Sequence, residues 1–407
     1  MHHLILGFCA AGANAAEAIR RLDPTAEITV FNPEAIPFYL RLDLEGIIEE
    51  KPVHHIQPRP PTFWEEKNIR VMPERAASID RVRKQVRAES GQSFSYDKLL
   101  IATGAGPRKL GVPGEFLPGI ASYHTFEDAR HIYSLREQVK HAVIVGAGIL
   151  GLELARVVQH FGWDLTMLVR GDHVGTPIAD PRGGKFVLRA LERQGVNVIF
   201  HDQVQEFFGG DRVQTVRTKG GRELPADFVA LCIGVEPSVG FLEGTDLLTD
   251  GQLIVDDKLQ TADPDIYAAG DVAFVRVPDG HLVPCNTWNV ATSQAKVAAS
   301  NMTGKDAVWD EGILYNLDAL FDQPIAIIGL WDRRHEPGYV IHEIESEGSF
   351  RALVTRNGVL AAALLMGDRS GDRRVRKLIA SRAFVEGKIE RVFSEDAKPE
   401  EFLTTKT

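Results

Sequence analysis

The sequence predicts an α/β fold: two βαβ units, each on a parallel sheet, followed by an α+β segment. Three observations carry this. A glycine-rich strand-turn-helix box stands in the middle of the chain, a degenerate copy opens it, and the segment after each box follows the same plan about 140 residues apart. That spacing is too long for a solenoid unit and suits a domain.

The clearer box is HAVIVGAGILGLELA, His141 to Ala155. Ala142 to Val145 is short and rich in β-branched residues, as a strand buried on both faces should be. Gly146, Gly148 and Gly151 follow at G-x-G-x-x-G spacing. Leu150, Leu152, Leu154, Ala155, Val157 and Val158 then read as a helix from Ile149. The first glycine makes the tight turn, the second lets backbone approach a pyrophosphate, and the third lets helix and strand pack closely. The helix N-terminus offers free N–H groups and a positive dipole end to phosphate.

The opening copy is less regular. His3 to Leu6 is apolar, Gly7 and Gly12 occupy the first and third positions, and Cys9 fills the second. A side chain there would crowd a pyrophosphate. Ala13, Ala15, Ala16, Ala18 and Ile19 form the helix after it. A signal peptide fits poorly, because there is no basic n-region and Glu17, Arg20 and Arg21 arrive too soon.

Composition narrows the function classes. The net charge of −10 argues against nucleic acid and anionic membranes as partners. No apolar run approaches the ~20 residues of a membrane span. Cys9, Cys232 and Cys285 are widely spaced, without a C-x-x-C or a zinc knuckle, and the histidines lack metal-ligand spacing. This predicts a reducing, cytoplasmic setting and no metal site.

Taken in order, the first unit has a strand at Ile28 to Phe31. A carboxylate near its end would accept hydrogen bonds from ribose hydroxyls; Glu34 is the candidate, with Asn32 the weaker one. Tyr39 and Arg41 sit in a loop leading to a helix. Phe63 to Asn68 reads as a short helix and Ile69 to Met72 as a strand, while Ala76 to Val86 and Phe94 to Ala102 read as hairpin strands. The second unit repeats the plan. It has a strand at Leu165 to Val169, a helix over about 185–194, GVNVIF, a hairpin from Val204 to Thr218, and ELPADFVALCIGVEP. Next come an apolar strand end at 266–270 and Asp271, a carboxylate at a strand's C-terminal end, where α/β folds bind ligands. Asn286 to Met302 reads as a helix carrying Trp288 and an alanine face of Ala291, Ala295 and Ala298. From about Ala307 the text changes to strands (Ile325–Leu330, Tyr339–Glu343, Arg351–Arg356, Val359–Met366) and a basic helix, Arg373–Arg382, which reads as a separate α+β domain.

Together the two boxes, LLIATG (Leu99–Gly104), CIGVEP (Cys232–Pro237) and IYAAGDVA (Ile266–Ala273) resemble the FAD-dependent flavoprotein oxidoreductases with two dinucleotide-binding domains, over about residues 1–305. The resemblance implies two Rossmann-like domains, one inserted in the other: an FAD domain in segments 1–110 and 238–306, an NAD(P)H domain at 111–237, and a C-terminal interface domain at 307–407. It places Gly7, Cys9 and Gly12 at the FAD pyrophosphate, Glu34 at the adenosine ribose, Thr103 and Gly104 near the flavin nucleotide, and Asp271 at the ribityl and pyrophosphate region. Gly146, Gly148 and Gly151 would carry NADH or NADPH. Arg41, Gly234 and Gly270 join the cofactor-binding set. As catalytic residues it implies Glu153 near the nicotinamide and Trp288 beside the isoalloxazine.

Neither the C-x₄-C of the disulfide reductases nor the single cysteine of the NADH oxidases and peroxidases is present, the latter place being filled around Leu44–Gly46. The chain therefore resembles the rubredoxin, ferredoxin and nitrite reductase-like branch. NTWNVATSQA is similar to that branch's tryptophan helix, and GVLAAALLMGD (Gly358–Asp368) to a strand of its C-terminal domain. The resemblance implies hydride transfer from nicotinamide to flavin, then electron transfer to a small redox protein such as rubredoxin or ferredoxin, and a homodimer. A quinone reductase or oxidase, or a slow flavin-bearing redox sensor, is the alternative. NADH enzymes of this kind carry an acid after the second strand; Arg170 stands there instead and suits a 2′-phosphate, leaving NADH and NADPH both open.

Overall fold

The computed structural model describes residues 1–34, 36–176, 178–276, 282–285, 287–310, 315–394 and 397–402. Along the chain the elements used below are β1 (His2–Leu6), α1 (Ala10–Leu22), β2 (Glu27–Phe31), β3 (Ile69–Met72), β4 (Lys98–Ile101), β5 (His141–Val145), α2 (Ile149–Val158), β6 (Asp164–Val169), α3 (Pro181–Arg193), β7 (Asn197–Phe200), β8 (Phe228–Leu231), β9 (Ile266–Ala268) and α4 (Trp288–Met302). The C-terminal segment adds β10 (Tyr315–Leu320), β11 (Gln323–Gly329), β12 (Tyr339–Ser346), β13 (Ser349–Arg356), β14 (Val359–Met366) and α5 (Asp372–Ala380).

Two compact units result. One comprises Met1–Arg108, His124–Tyr133 and Val235–Glu311; the other comprises Lys109–Tyr123, Ser134–Gly234 and Gly312–Thr407.

In the first unit the sheet runs β9-β4-β1-β2-β3, parallel throughout. The central strand is fully covered: Leu4, Ile5 and Leu6 are at most 1% exposed, which is why it reads as a continuous apolar run. The alanine faces of α1 and α4 pack on each other, small side chains allowing the close approach. The expected long hairpin strand at Phe94–Ala102 is in fact two elements. Ser93–Ser95 closes an antiparallel meander with Ala76–Asp80 and Gln85–Ala88, while Lys98–Ile101 returns to the parallel sheet beside β1. The tight spacing of Tyr96 and Asp97 hides that corner from periodicity.

The second unit repeats the order as β7-β6-β5-β8, with a short edge strand at Ile120–Ala121. Helix α3 begins at Pro181, four residues before the apolar pattern suggests, with Asp180 as N-cap and proline in the first turn. Helix α4 starts at Trp288 behind a Thr287 cap whose hydroxyl accepts from the Val290 N–H at 3.3 Å; Asn286 lies outside the described residues. A helix at Phe126–Ser134 and strand β10 carry too weak a pattern to be read from the sequence. The C-terminal segment is a five-stranded antiparallel sheet, β10-β11-β14-β13-β12, with α5 on β11 and β14.

His3 lies wholly buried in β1, and neither ring nitrogen has a partner among the described residues. Burial, helped by the chain's N-terminal charge and by His2 and opposed by Asp23 and Asp97, lowers its pKa from 6.5 to about 4. The unfolded chain therefore takes up a proton that the fold refuses. Stability contributed by neutral His3 is complete above pH 6.5 and is lost as pH falls towards 4. Denaturant unfolding of the wild type and His3→Leu at pH 7.5 and pH 4.5 should show the wild type losing ~1–3 kcal/mol more than the variant; equal losses would contradict this.

Candidate functional site

In the first unit the chain turns from β1 into α1 at Gly7, with φ +104°. A Cβ on Gly7 would lie 2.2 Å from the Ala102 carbonyl oxygen, and one on Gly12 would lie 1.9 Å from the Gly7 carbonyl oxygen. Both glycines are therefore fixed by backbone clearance between β1, β4 and α1. The second position differs. Cys9 is extended (φ −106°, ψ −152°), a conformation open to any residue, and it caps α1 without a side-chain hydrogen bond. Glycine is thus not a backbone requirement there, and the Cys9 side chain lies against Arg41.

Arg41 is the hub of a braced network. One arm meets Glu34 Oε1 at 2.5 Å and the other donates to the His124 carbonyl. The Tyr39 hydroxyl donates to Glu34 Oε2 at 2.6 Å and accepts from the Phe126 N–H at 3.1 Å. Burial works against the Arg41 cation, but Cys9, Tyr39 and Glu34 outweigh it and raise its pKa above the ordinary arginine value. Glu34, with a quarter of its side chain exposed, is a clamped acceptor with lone pairs to spare, not a solvated turn carboxylate. Asn32 supports the turn, donating to the Ile36 carbonyl at 2.8 Å and accepting from the Glu34 N–H at 3.3 Å.

After β9, Gly270 (φ +83°) sits where α1 and α4 meet: a Cβ there would lie 3.2 Å from Ala11 Cβ and 3.8 Å from Ala291 Cβ. Its N–H donates to Gln294 Oε1 at 2.9 Å. Gln294 Nε2 is buried with no partner among the described residues. An orphaned donor in a wholly buried side chain costs ~1–3 kcal/mol unless something accepts from it. Burial pushes the Asp271 carboxyl above its usual range, against the pull of the Cys285 thiol and Arg41. Cys9, Arg41, Glu34 and Asp271 are thereby one constellation at the head of β1 and β9. Thr103 and Gly104 anchor the strand crossing: the Thr103 hydroxyl donates to the Ser238 carbonyl, and the Ser238 N–H donates to the Gly104 carbonyl, both at 2.9 Å. Trp288 stacks on Phe38, ring centroids 6.0 Å apart and planes at 22°, and Phe38 meets Trp64 edge-on.

These groups suit a dinucleotide. The α1 amides and Arg41 match a pyrophosphate, Glu34 and Asp271 match polyol hydroxyls, and Gln294 Nε2 supplies an unused donor. Gln294 and the Tyr39–His124 brace were not singled out from the sequence. For Gln294 a signal exists: it shares the i, i+3, i+4 face of Ala291 and Ala295.

The second box repeats the clearances. A Cβ on Gly146 (φ +103°) would meet the Cys232 carbonyl oxygen at 2.2 Å, and one on Gly151 the Gly146 carbonyl oxygen at 2.3 Å. At Gly148, with φ −79°, a Cβ would meet only the Thr176 carbonyl oxygen, at 3.4 Å. The second glycine is again a matter of open space. Glu153, on α2, accepts from the Tyr123 hydroxyl at 3.0 Å. Arg170 is exposed directly after β6, and Gly234 (φ +96°) closes the unit with nothing near its Cβ position.

Comparison with known proteins agrees with this geometry. Residues 1–298 match the family model described as pyridine nucleotide-disulphide oxidoreductase. The NADH-rubredoxin oxidoreductase of Clostridium acetobutylicum is 30% identical, over 93% of this chain and 94% of its own length. The nitrite reductase [NAD(P)H] of Bacillus subtilis is 28% identical, but the chain spans only about half of it, 47%. Among solved structures, a ferredoxin reductase from Rhodopseudomonas palustris superposes with a TM-score of 0.90 at 26% identity, covering 98% of this chain and 99% of that one. No helix among the described residues is long and apolar enough to cross a membrane. The chain belongs to the pyridine nucleotide-disulphide oxidoreductase family, enzymes that work with FAD and NAD(P)H.

Proposed function

We infer that the chain takes reducing equivalents from a nicotinamide dinucleotide and hands them to a small redox protein of the rubredoxin or ferredoxin kind. The observation that carries the reading is the doubled box: two parallel sheets, each with a helix whose first amides carry no side-chain cap, at Cys9 and at Gly148. One phosphate cradle serves FAD and the other NAD(P)H. When both are bound, the nicotinamide supplies a hydride and the flavin can release its electrons singly.

The chain's own residues bind and orient. In the Met1–Arg108, His124–Tyr133 and Val235–Glu311 unit, Gly7, Cys9 and Gly12 receive the FAD pyrophosphate, with Arg41 as its counter-cation. Glu34 holds the adenosine ribose, Thr103 and Gly104 border the flavin nucleotide, Asp271 takes the ribityl chain, and Trp288 borders the ring. In the other unit Gly146, Gly148, Gly151, Gly234 and Arg170 receive the nicotinamide dinucleotide, with Glu153 beside the nicotinamide. Residues Leu44–Gly46 offer no sulfur, and Cys9, Cys232 and Cys285 are not joined in disulfides. No thiol relay stands between donor and acceptor, which favours outward electron transfer over disulfide or peroxide chemistry. We place the protein in the cytoplasm, and we assign the C-terminal sheet to a homodimer contact, supported by the exposed Leu317 and Val340 on its edge strands β10 and β12.

The purified protein should be yellow. Asp271→Ala should lower the flavin retained per chain after gel filtration at least severalfold; unchanged retention would remove Asp271 from the FAD site. Gly148→Val should abolish NAD(P)H binding and flavin reduction, while FAD content stays at wild-type level and the melting temperature moves by less than ~3 °C, since only Thr176 borders the new side chain. Normal reduction by that variant would show the boxes are wrongly assigned. In an acceptor screen, rubredoxin or ferredoxin should turn over at least tenfold faster than oxygen or a quinone; the reverse order would favour an oxidase or quinone reductase.

A further inference from the structure

The C-terminal ends of β6 and β7 carry a feature that single-strand reading cannot see. The two strands are paired in parallel with Val169 opposite Phe200, so the next residues, Arg170 and His201, leave the sheet side by side. The loops are tied together, the His201 N–H donating to the Gly171 carbonyl at 3.2 Å. His201 has φ +57°, a left-handed conformation for a side chain that is fully outside the sheet. Arg170 and His201 are both exposed.

The neighbouring acids are engaged elsewhere. Asp172 accepts from the His173 ring at 2.6 Å, and that bond, with the nearby charges of His173 and His201, holds its carboxyl below the usual range. Asp202, buried beside His201, pairs with Arg222 at 2.7 Å and accepts from the Gln203 and Gly220 N–H groups at 2.8 and 2.9 Å. The slot directly after β6, where an acid would accept a ribose 2′-hydroxyl, carries Arg170 instead.

We propose that Arg170 and His201 together form a notch for the 2′-phosphate of NADPH, Arg170 supplying the cation and the His201 ring a second donor in the place of a second arginine. The proposal rests on the reading of the second box as the nicotinamide dinucleotide site. A guanidinium gives a phosphate two parallel N–H bonds, and an imidazole from the adjoining strand adds a further donor to a second oxygen.

The test uses adenosine 2′,5′-bisphosphate and ADP as probes, titrated into the flavin-loaded protein by calorimetry, beside NADPH and NADH reduction kinetics. Wild type should bind the bisphosphate at least tenfold tighter than ADP. His201→Asn keeps a residue tolerant of the left-handed conformation and removes the ring; it should cut that preference about three- to tenfold through the bisphosphate alone. His201→Arg should restore or exceed it, a rescue that a merely structural role would not give. Arg170→Gln should cost more than His201→Asn, again without weakening ADP. Equal affinity of wild type for the two probes, or equal losses for both in the variants, would overturn the notch while leaving the second box as a dinucleotide site. Failure of both probes and both nicotinamides to bind would overturn the box and the notch together.

Discussion

The fold rests on one kind of contact made twice: the first glycine of each box lies against the carbonyl of the strand that closes the crevice. Gly7 approaches Ala102 and Gly146 approaches Cys232 so closely that any Cβ would fall 2.2 Å from the carbonyl oxygen. The approach is possible only because each glycine holds a positive φ and directs the chain from strand to helix in one residue. It draws β1 against β4 and β5 against β8, and it aims the first turn of α1 and α2 at the space above the sheet. The free amides that the proposed phosphate recognition uses are a by-product of that packing rather than an addition to it.

This explains why the boxes were so legible. First and third glycines are dictated by backbone contacts, so they appear in the sequence at fixed spacing, and both sheets followed from them. The second position obeys another constraint. Cys9 and Gly148 both have extended backbones, and a Cβ at Gly148 would meet only the Thr176 carbonyl oxygen, at 3.4 Å. What glycine provides there is room. From the sequence, Cys9 reads as a defect in the cradle; in the fold its side chain turns to Arg41, a partner 32 positions away that no local pattern could couple to it.

Other parts were hidden for related reasons. The parallel strand at Lys98–Ile101 and the meander strand at Ser93–Ser95 are separated by a corner too short to interrupt an apolar run. Glu34 was visible as a carboxylate after a strand, but its clamp depends on Tyr39, Arg41 and the His124 carbonyl, and the last of these is a backbone group with no residue preference. Gln294 was written into an alanine helix, and its value lies in a buried Nε2 with no partner among the described residues, which only burial reveals. Side chains that act through the main chain, or through distant partners, leave almost no trace in spacing.

The two units also differ in how their charge is disposed, and the difference suits the ligands proposed for them. Around the first box, acid and base neutralise one another: Arg41 answers Glu34, and burial raises the Asp271 carboxyl above its usual range. Such a site suits a cofactor that stays, because desolvated, mutually satisfied groups form a preorganised pocket that releases its occupant slowly. Around the second box the space beside Gly148 is open and Arg170 stands exposed at the strand end. Contacts of that sort are worth less and are screened by salt, which suits a dinucleotide that must leave after every turnover. On the proposed assignment one architecture serves a resident ligand and a transient one, and the distinction lies in burial of the charged groups rather than in the fold that carries them.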